Sequence, residues 1–203
     1  MSLQKKIRIG ILISGMGSNM EALIRSMSKK DSLGEIKLVA SDNQHAQGLK
    51  TATQLGIPVF SYVSNSKMLD LKSFEEEILH KFKANNISLI CLAGFMRILS
   101  PQFLKLFPGK ILNIHPSILP SLKGLDTHRR ALEKKLQVHG ATVHEVTEKL
   151  DSGRILGQTT IRIQKDDTAE TLSSRLKVKE HQLYTETLTH FISGKSDILQ
   201  NVD

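Results

Sequence analysis

Five short apolar runs, separated by segments with helical periodicity, constrain the fold of this 203-residue chain more than any other feature. The runs cover residues 7–13, 36–40, 59–63, 89–93 and 111–114. In the spacer before the fourth run, apolar residues recur at helical intervals at Leu71, Phe74, Ile78 and Phe82. A strand that helices cover on both faces loses the polar alternation of an exposed sheet. The pattern therefore predicts an α/β fold with a doubly wound, mostly parallel sheet and helices on both faces.

The second half of the chain predicts longer elements. We expect a helix over residues 127–135, strands over 140–146 and 156–163, and a closing helix over 168–191. The two strands should complete the sheet, with an antiparallel arrangement as one option. Because the length suits a single core, we predict one domain over residues 1–203.

Composition narrows the class of protein. Hydrophobic residues make up 39% of the chain, and no apolar run approaches the roughly 18 residues that a membrane helix needs. The first residues do not resemble an export signal. The single cysteine, Cys91, lies in an apolar run, which is typical of a buried thiol in a reducing compartment. We therefore expect a cytoplasmic protein with no membrane partner.

The net charge of +8 leaves two interpretations open. It can attract anionic small molecules, or it can simply keep a solvated basic surface soluble. The lysines are scattered, and only seven Phe and two Tyr are available to stack on bases. We therefore expect no nucleic-acid partner.

A glycine-containing turn follows the first run at residues 14–19, Ser-Gly-Met-Gly-Ser-Asn. Glycine lets the backbone approach a ligand, and the amide N–H groups at a helix start favour phosphate. The turn lacks the third glycine of the dinucleotide pattern and the Walker lysine. A purely structural turn, with Ser18 or Asn19 as the helix cap, is the alternative.

Two polar residues stand at the end of the fifth run. In a strand, Asn113 and His115 point to the same face, which places an amide beside an imidazole. Imidazole acts as an acid or base near neutral pH, and an amide N–H can stabilise an oxyanion, so the pair suits acyl transfer. A hydrogen-bonded structural histidine is the alternative.

Asp151 and Glu180 are two further candidates for a functional carboxylate. Asp151 precedes Ser152-Gly153 and can be a plain turn residue, but if it reaches His115 its charge favours the imidazolium form. Glu180 lies on the apolar stripe of the closing helix, where a carboxylate needs a ligand or an arginine as partner. The stripe consists of Leu172, Leu176, Leu183 and Phe191.

A metal site has little support in the sequence. His139 and His144 are near one another, but no second cluster of histidine, cysteine or carboxylate has ligand spacing. We predict no catalytic metal.

Several motifs, taken together in this order, resemble the phosphoribosylglycinamide formyltransferase family. They are the turn at residues 14–19, residues 92–99, residues 113–117, His139-Gly140 with Val143-His144, and Leu150-Asp151. The resemblance runs from about residue 7 to 194. It implies a formyltransferase fold and transfer of the formyl group of 10-formyltetrahydrofolate, a reduced folate, to the amine of 5-phosphoribosylglycinamide in de novo purine synthesis. It leaves monomer and homodimer open.

The resemblance also implies roles for individual residues. The catalytic trio would be Asn113, His115 and Asp151, acting on a tetrahedral intermediate formed by direct amine attack. Substrate contacts would come from Gly17, Ser18 and Asn19 at the phosphate and from Glu180 at the glycinamide. The folate would contact Met96, Arg97, Ile98, Leu99 and Asn113, with Lys72 in place of an arginine at its tail.

Three positions depart from the family pattern. Met16 stands where the family often has a small or polar residue, and residues 67–72 lack the usual arginine. Asp126 replaces the histidine of a Gly-Leu-His segment. The departures concern the phosphate turn, the folate tail and an auxiliary position.

Three alternative functions compete with this interpretation. A formyltetrahydrofolate hydrolase shares the asparagine and histidine, but we would expect an additional amino-terminal regulatory domain. A methionyl-tRNA formyltransferase would need a carboxyl-terminal RNA-binding domain. A noncatalytic nucleotide-binding regulatory domain explains the glycine turn but not His115 with Asp151.

Overall fold

The computed structural model describes residues 6–62, 70–195 and 197–201. The chain divides into two compact units, Met1–Leu112 and Asn113–Asp203. The single domain expected over residues 1–203 therefore stays a prediction.

The first unit alternates strands and helices. Its strands lie in the order β3-β2-β1-β4, and the three pairs between them are all parallel. The elements are β1 (Ile7–Ile13), α1 (Ser18–Met27), β2 (Gly34–Ser41), α2 (Gln47–Gln54), β3 (Val59–Ser61), α3 (Leu71–Ala84), β4 (Leu89–Leu92) and α4 (Pro101–Leu106). Strand β5 (Lys110–His115) spans the division between the units.

The core of the first unit follows directly from the apolar pattern. In α3 the side chains of Phe74, Ile78 and Phe82 are fully buried, as their helical spacing predicts. Gly10 in β1 makes this packing possible, because a Cβ there would lie only 2.8 Å from Cε1 of Phe82. The bounds predicted for β1 match the structure, whereas β3 ends at Ser61 and residue 63 lies outside the described residues.

The second unit contains the end of β5, one long helix and an antiparallel strand pair. Strands β6 and β7 pair antiparallel, while β7 and β8 pair parallel. The elements are α5 (Thr127–Glu133), β6 (Val138–Glu145), β7 (Ile155–Arg162), α6 (Ala169–Ile192) and β8 (Leu199–Asn201). The α/β fold with a mostly parallel sheet is confirmed, and the antiparallel option holds for β6 and β7.

Helix α5 is shorter than expected. It ends at Glu133 rather than at residue 135, because Lys135 has a left-handed backbone with φ of 51°. An L-residue in this region does not continue a right-handed helix. The backbone thus stops the helix where the residue types alone would let it continue.

Across residues 6–62, 70–195 and 197–201, no helix is both long enough and apolar enough to span a bilayer.

Helix α6 begins with a capping box. The Thr168 hydroxyl accepts from the Thr171 N–H at 3.3 Å, and the Thr171 hydroxyl accepts from the Thr168 N–H at 2.9 Å. These reciprocal bonds satisfy donors that a helix start leaves without partners. The predicted start near Thr168 is confirmed.

We expect Thr168→Ala to lower the free energy of unfolding by about 1 kcal/mol, because the cap acceptor is lost. Denaturation in urea measures the change. Ser174→Ala is the matched control, since Ser174 is exposed within α6 and alanine favours the helix. Equal stability of wild type and Thr168→Ala would show that the capping box contributes nothing.

Candidate active site

In the second unit, the end of β5 brings an imidazole to a carboxylate that is distant in the sequence. Nδ1 of His115 lies 3.5 Å from Oδ2 of Asp151, and both side chains are only 7% exposed. The catalytic hypothesis requires this proximity. Catalytic roles for the two residues stay predictions.

The other ring nitrogen of His115 has an acceptor of its own. Nε2 lies 2.9 Å from the main-chain oxygen of Leu122, and a carbonyl oxygen can only accept, so Nε2 carries a hydrogen. When Nδ1 is also protonated, it faces the Asp151 carboxylate. The two ring nitrogens of His115 therefore face oxygen atoms of Leu122 and Asp151.

Asp151 is both a turn residue and part of the cluster. Its backbone is left-handed, with φ of 44°, a conformation that aspartate tolerates better than most residues. Its Oδ2 accepts from the Gly124 N–H at 2.8 Å, and its Oδ1 lies 3.7 Å from Nε2 of His144. The turn positions the carboxylate among these groups, so the turn interpretation and the functional one describe the same geometry.

His144 joins the cluster through Asn113. Nδ2 of Asn113 lies 3.2 Å from Nε2 of His144, whose Nδ1 lies 2.9 Å from the main-chain oxygen of Glu145. Burial lowers the pKa of His144, while the Glu145 carbonyl and Asp151 partly oppose that effect. In the sequence, His144 stands out only as part of a motif and as a poor metal candidate. Its position beside Asn113 had no signal in residue spacing.

A second pair of histidines lies in the same unit. Nε2 of His139 is 3.1 Å from Nδ1 of His128. Burial lowers the pKa of His139 to about 4, with His128 and His115 adding to the effect. Burial and Lys177 lower the pKa of His128. Among the residues that the structure describes, no three His, Cys, Asp or Glu side chains are grouped to hold a metal ion, and the absence of a catalytic metal stays a prediction.

In the first unit, the glycine turn leads directly into α1. The N-cap is Gly17, with φ of 74° and no side-chain cap, so the expectation of Ser18 or Asn19 as the cap is wrong. Those two residues lie in the first turn of α1. The Glu21 N–H donates to the Gly17 oxygen at 2.9 Å, so the helical hydrogen-bond pattern begins at Gly17.

Close packing explains the glycines of this turn. A Cβ on Gly17 would lie 3.0 Å from the Gly48 Cα, and the Gly48 N–H donates to the Gly15 oxygen at 3.0 Å. Met16 is 72% exposed. The departure at residue 16 therefore leaves the backbone amides in place.

The segment after β4 is tied to its neighbours in the first unit. The Met96 N–H donates to the Ser14 hydroxyl at 2.9 Å. Nε of Arg97 donates to Oδ2 of the buried Asp42 side chain at 2.7 Å. At the far end, the buried Glu75 carboxylate accepts from both the N–H and the hydroxyl of Ser100.

The four consecutive residues of this segment that are expected to contact folate differ in exposure. Met96 and Ile98 are 65% and 66% exposed, whereas Leu99 is buried. Arg97 is held by Asp42 and is partly exposed. The segment thus presents two apolar side chains and one guanidinium.

Two further predicted contact residues, Glu180 and Lys72, lie on helices α6 and α3. Glu180 is buried on α6. The end of the apolar stripe differs from the prediction, because Leu188 and Ile192 are buried whereas Phe191 is half-buried. Lys72 is exposed in the first turn of α3, with Nζ 4.0 Å from Oε1 of Glu76. Residues 67–69 of the segment expected at the folate tail lie outside the described residues.

Asp126 begins α5 with a left-handed backbone. It is the N-cap residue of this helix with φ of 57°, but its side chain does not cap the helix. Instead, its Oδ2 accepts from Nη2 of Arg129 at 2.9 Å. An exposed ion pair of this kind contributes little to stability.

Comparison with known proteins gives a consistent result. A family model described as formyl transferase matches residues 7–188. The chain is 35% identical over 195 residues to the phosphoribosylglycinamide formyltransferase of Escherichia coli, with 96% of this chain and 92% of that protein covered. It is 44% identical over 191 residues to the trifunctional purine biosynthetic protein adenosine-3 of Gallus gallus, covering 93% of this chain. The chain spans only about a fifth of the length of such trifunctional relatives.

Solved structures agree with the sequence comparisons. The crystal structure of phosphoribosylglycinamide formyltransferase from Brucella melitensis is similar with a TM-score of 0.86 and 42% identity, covering 95% of this chain and 99% of that one. The corresponding protein from Anaplasma phagocytophilum has a TM-score of 0.88 and 36% identity, with 98% and 100% covered.

We expect stability to fall with acid because of His139. Its folded pKa of about 4 lies below its ordinary value of 6.5, so between these values the unfolded chain binds the proton and the folded protein does not. The stabilisation is present above pH 6.5 and is lost as the pH falls toward 4, with a slope of up to about 1.4 kcal/mol per pH unit.

Urea unfolding across this pH range measures the slope. His139→Gln should reduce it, because one group that titrates only on unfolding is removed. The same substitution at the exposed His45 serves as the control and should leave the slope unchanged. A wild-type slope in the His139 variant would contradict the prediction.

Proposed function

Because the chain belongs to the formyl transferase family, among the phosphoribosylglycinamide formyltransferases, we propose that it transfers the formyl group of 10-formyltetrahydrofolate to the amine of 5-phosphoribosylglycinamide in purine biosynthesis. One observation in the molecule supports this most strongly. Asn113, His115 and Asp151 belong to a single cluster in which an amide, an imidazole and a carboxylate lie close together.

The proposed reaction begins when the substrate amine attacks the formyl carbon. A nitrogen–carbon bond forms, and the electrons of the carbonyl move to its oxygen. The Asn113 N–H donates to this oxyanion, and the positive charge of a protonated His115 stabilises it through space. The carbon–nitrogen bond to folate then breaks, the amine loses a proton, and the departing folate nitrogen gains one. Asp151 stabilises the charged imidazole throughout.

In the first unit, the proposal assigns phosphate binding to Gly17, Ser18 and Asn19. The first-turn amides of α1 and the positive end of the helix dipole favour an anion. This chemistry fits the phosphate of the ribonucleotide.

In the first unit, the proposed folate contacts are Met96, Arg97, Ile98 and Leu99. Exposed apolar side chains beside a guanidinium suit an aromatic ring system that carries carboxylates. Lys72 is the proposed cation for the folate tail.

Glu180 is the proposed contact for the glycinamide part of the substrate, because a buried carboxylate can accept hydrogen bonds from its N–H groups. We also propose a cytoplasmic location, since Cys91 is a buried free thiol. A monomer or a homodimer stays the prediction for assembly.

The test follows folate deformylation with the full chain. We expect 10-formyltetrahydrofolate to lose its formyl group only when 5-phosphoribosylglycinamide is present, with one formylated amide formed per folate released. Formate release without the ribonucleotide would instead indicate a hydrolase. No turnover under either condition would contradict both activities.

A double-mutant cycle tests the partnership of His115 and Asp151. We expect His115→Ala and Asp151→Asn each to lower kcat/KM by about 10²–10⁴, and the double variant to lose less than the product of these factors. Groups that act as a unit cannot be lost twice.

Asp166→Asn is the control for the loss of one negative charge. Asp166 is exposed in the same unit, so its removal should change kcat/KM by less than about twofold. If the losses at His115 and Asp151 multiply, the two residues act independently and Asp151 is only a turn residue.

A further inference from the structure

We propose that His144 is a positioning residue that fixes the orientation of the Asn113 carboxamide. The inference rests on the proposed function, since it deepens the role of Asn113 at the oxyanion. His144 itself need not touch substrate. It determines whether the NH₂ group or the carbonyl oxygen of Asn113 faces the reacting formyl group.

The two side chains lie on different strands of the second unit. Asn113 belongs to β5 and is half-buried, whereas His144 belongs to β6 and is 2% exposed. Nδ2 of Asn113 lies 3.2 Å from Nε2 of His144. A buried imidazole at this distance limits how the carboxamide can turn.

The neighbouring main chain determines the tautomer of His144. Its Nδ1 lies 2.9 Å from the oxygen of Glu145, and a carbonyl oxygen only accepts, so the hydrogen is on Nδ1. Burial lowers the pKa of His144, which keeps the ring neutral near pH 7. A neutral ring with its hydrogen on Nδ1 has a free electron pair on Nε2.

This electron pair selects one orientation of the amide. Nε2 of His144 can accept only from the Asn113 NH₂ group, so the carbonyl oxygen of the amide points elsewhere. The amide nitrogen has two hydrogens, and the second is available to an oxyanion. The opposite tautomer of His144 would favour the flipped amide, with an oxygen where a donor is needed.

Asp151 is the group that could compete with Asn113 for His144. Its Oδ1 lies 3.7 Å from Nε2, which is too long for a hydrogen bond. Its Oδ2 accepts from the Gly124 N–H at 2.8 Å and faces His115. The carboxylate is therefore oriented by other groups, and Nε2 of neutral His144 stays with Asn113.

Two variants separate the two nitrogens of His144. Asparagine places an amide where Nδ1 was but nothing where Nε2 was, whereas glutamine can reach the Nε2 position with an acceptor oxygen. We expect His144→Asn to lower kcat by about tenfold to a hundredfold, with each KM changed less than about twofold. His144→Gln should recover most of kcat. Equal losses in both variants, or a loss confined to KM, would overturn the proposal.

A spectroscopic measurement tests the same inference without activity. In the wild-type protein at pH 7, long-range ¹H–¹⁵N correlation should show His144 protonated on Nδ1 alone, and His144→Asn should shift the Asn113 side-chain amide signals. A proton on Nε2 or unmoved Asn113 signals would overturn the proposal. Wild-type protein without formyl transfer would overturn the proposed function instead, because the tautomer measurement is independent of turnover.

Discussion

The buried carboxylate of Asp151 is the constraint around which the second unit is arranged. Moving a carboxylate out of water is costly unless hydrogen bonds or positive charge replace its hydration. Here the Gly124 N–H donates to it, and the imidazole of His115 lies 3.5 Å from its Oδ2. The turn after β6, the end of β5 and the loop that contains Gly124 must all be in place before this charge can be buried.

Much of the fold could be predicted because strands and helices have local signals. The apolar run of β1 and the helical spacing of Phe74, Ile78 and Phe82 correspond closely to the observed elements. The sequence does not predict strand β8, because its three residues are too few to show a strand pattern. The strand is defined by its pairing with β7. The cap of α1 differs from the prediction because the N-cap position is occupied by Gly17, which has a left-handed backbone and no side chain that could cap the helix.

Less of the candidate site than of the fold could be predicted from the sequence. Side chains two residues apart on a strand point to the same face, so the sequence predicts that Asn113 and His115 share a face. This prediction does not depend on contacts between residues far apart in the chain. The contact of Asp151 with His115 joins residues far apart in the chain, so only the fold can supply it. The part played by His144 depends further on the Glu145 carbonyl, since that oxygen decides which ring nitrogen carries the hydrogen. No pattern of residue types reports the direction of a main-chain carbonyl.

The left-handed backbone at Asp151 also limits which substitutions a population of such proteins can carry. Glycine, asparagine and aspartate accept this conformation most readily, whereas glutamate and most other residues are strained. Two of the three tolerated residues lack the charge. Most substitutions at residue 151 therefore give misfolded protein, which proteases remove. Substitution by glycine or asparagine instead gives folded protein that lacks the carboxylate, persists and still binds its ligands. A screen for abundance would overlook the second class.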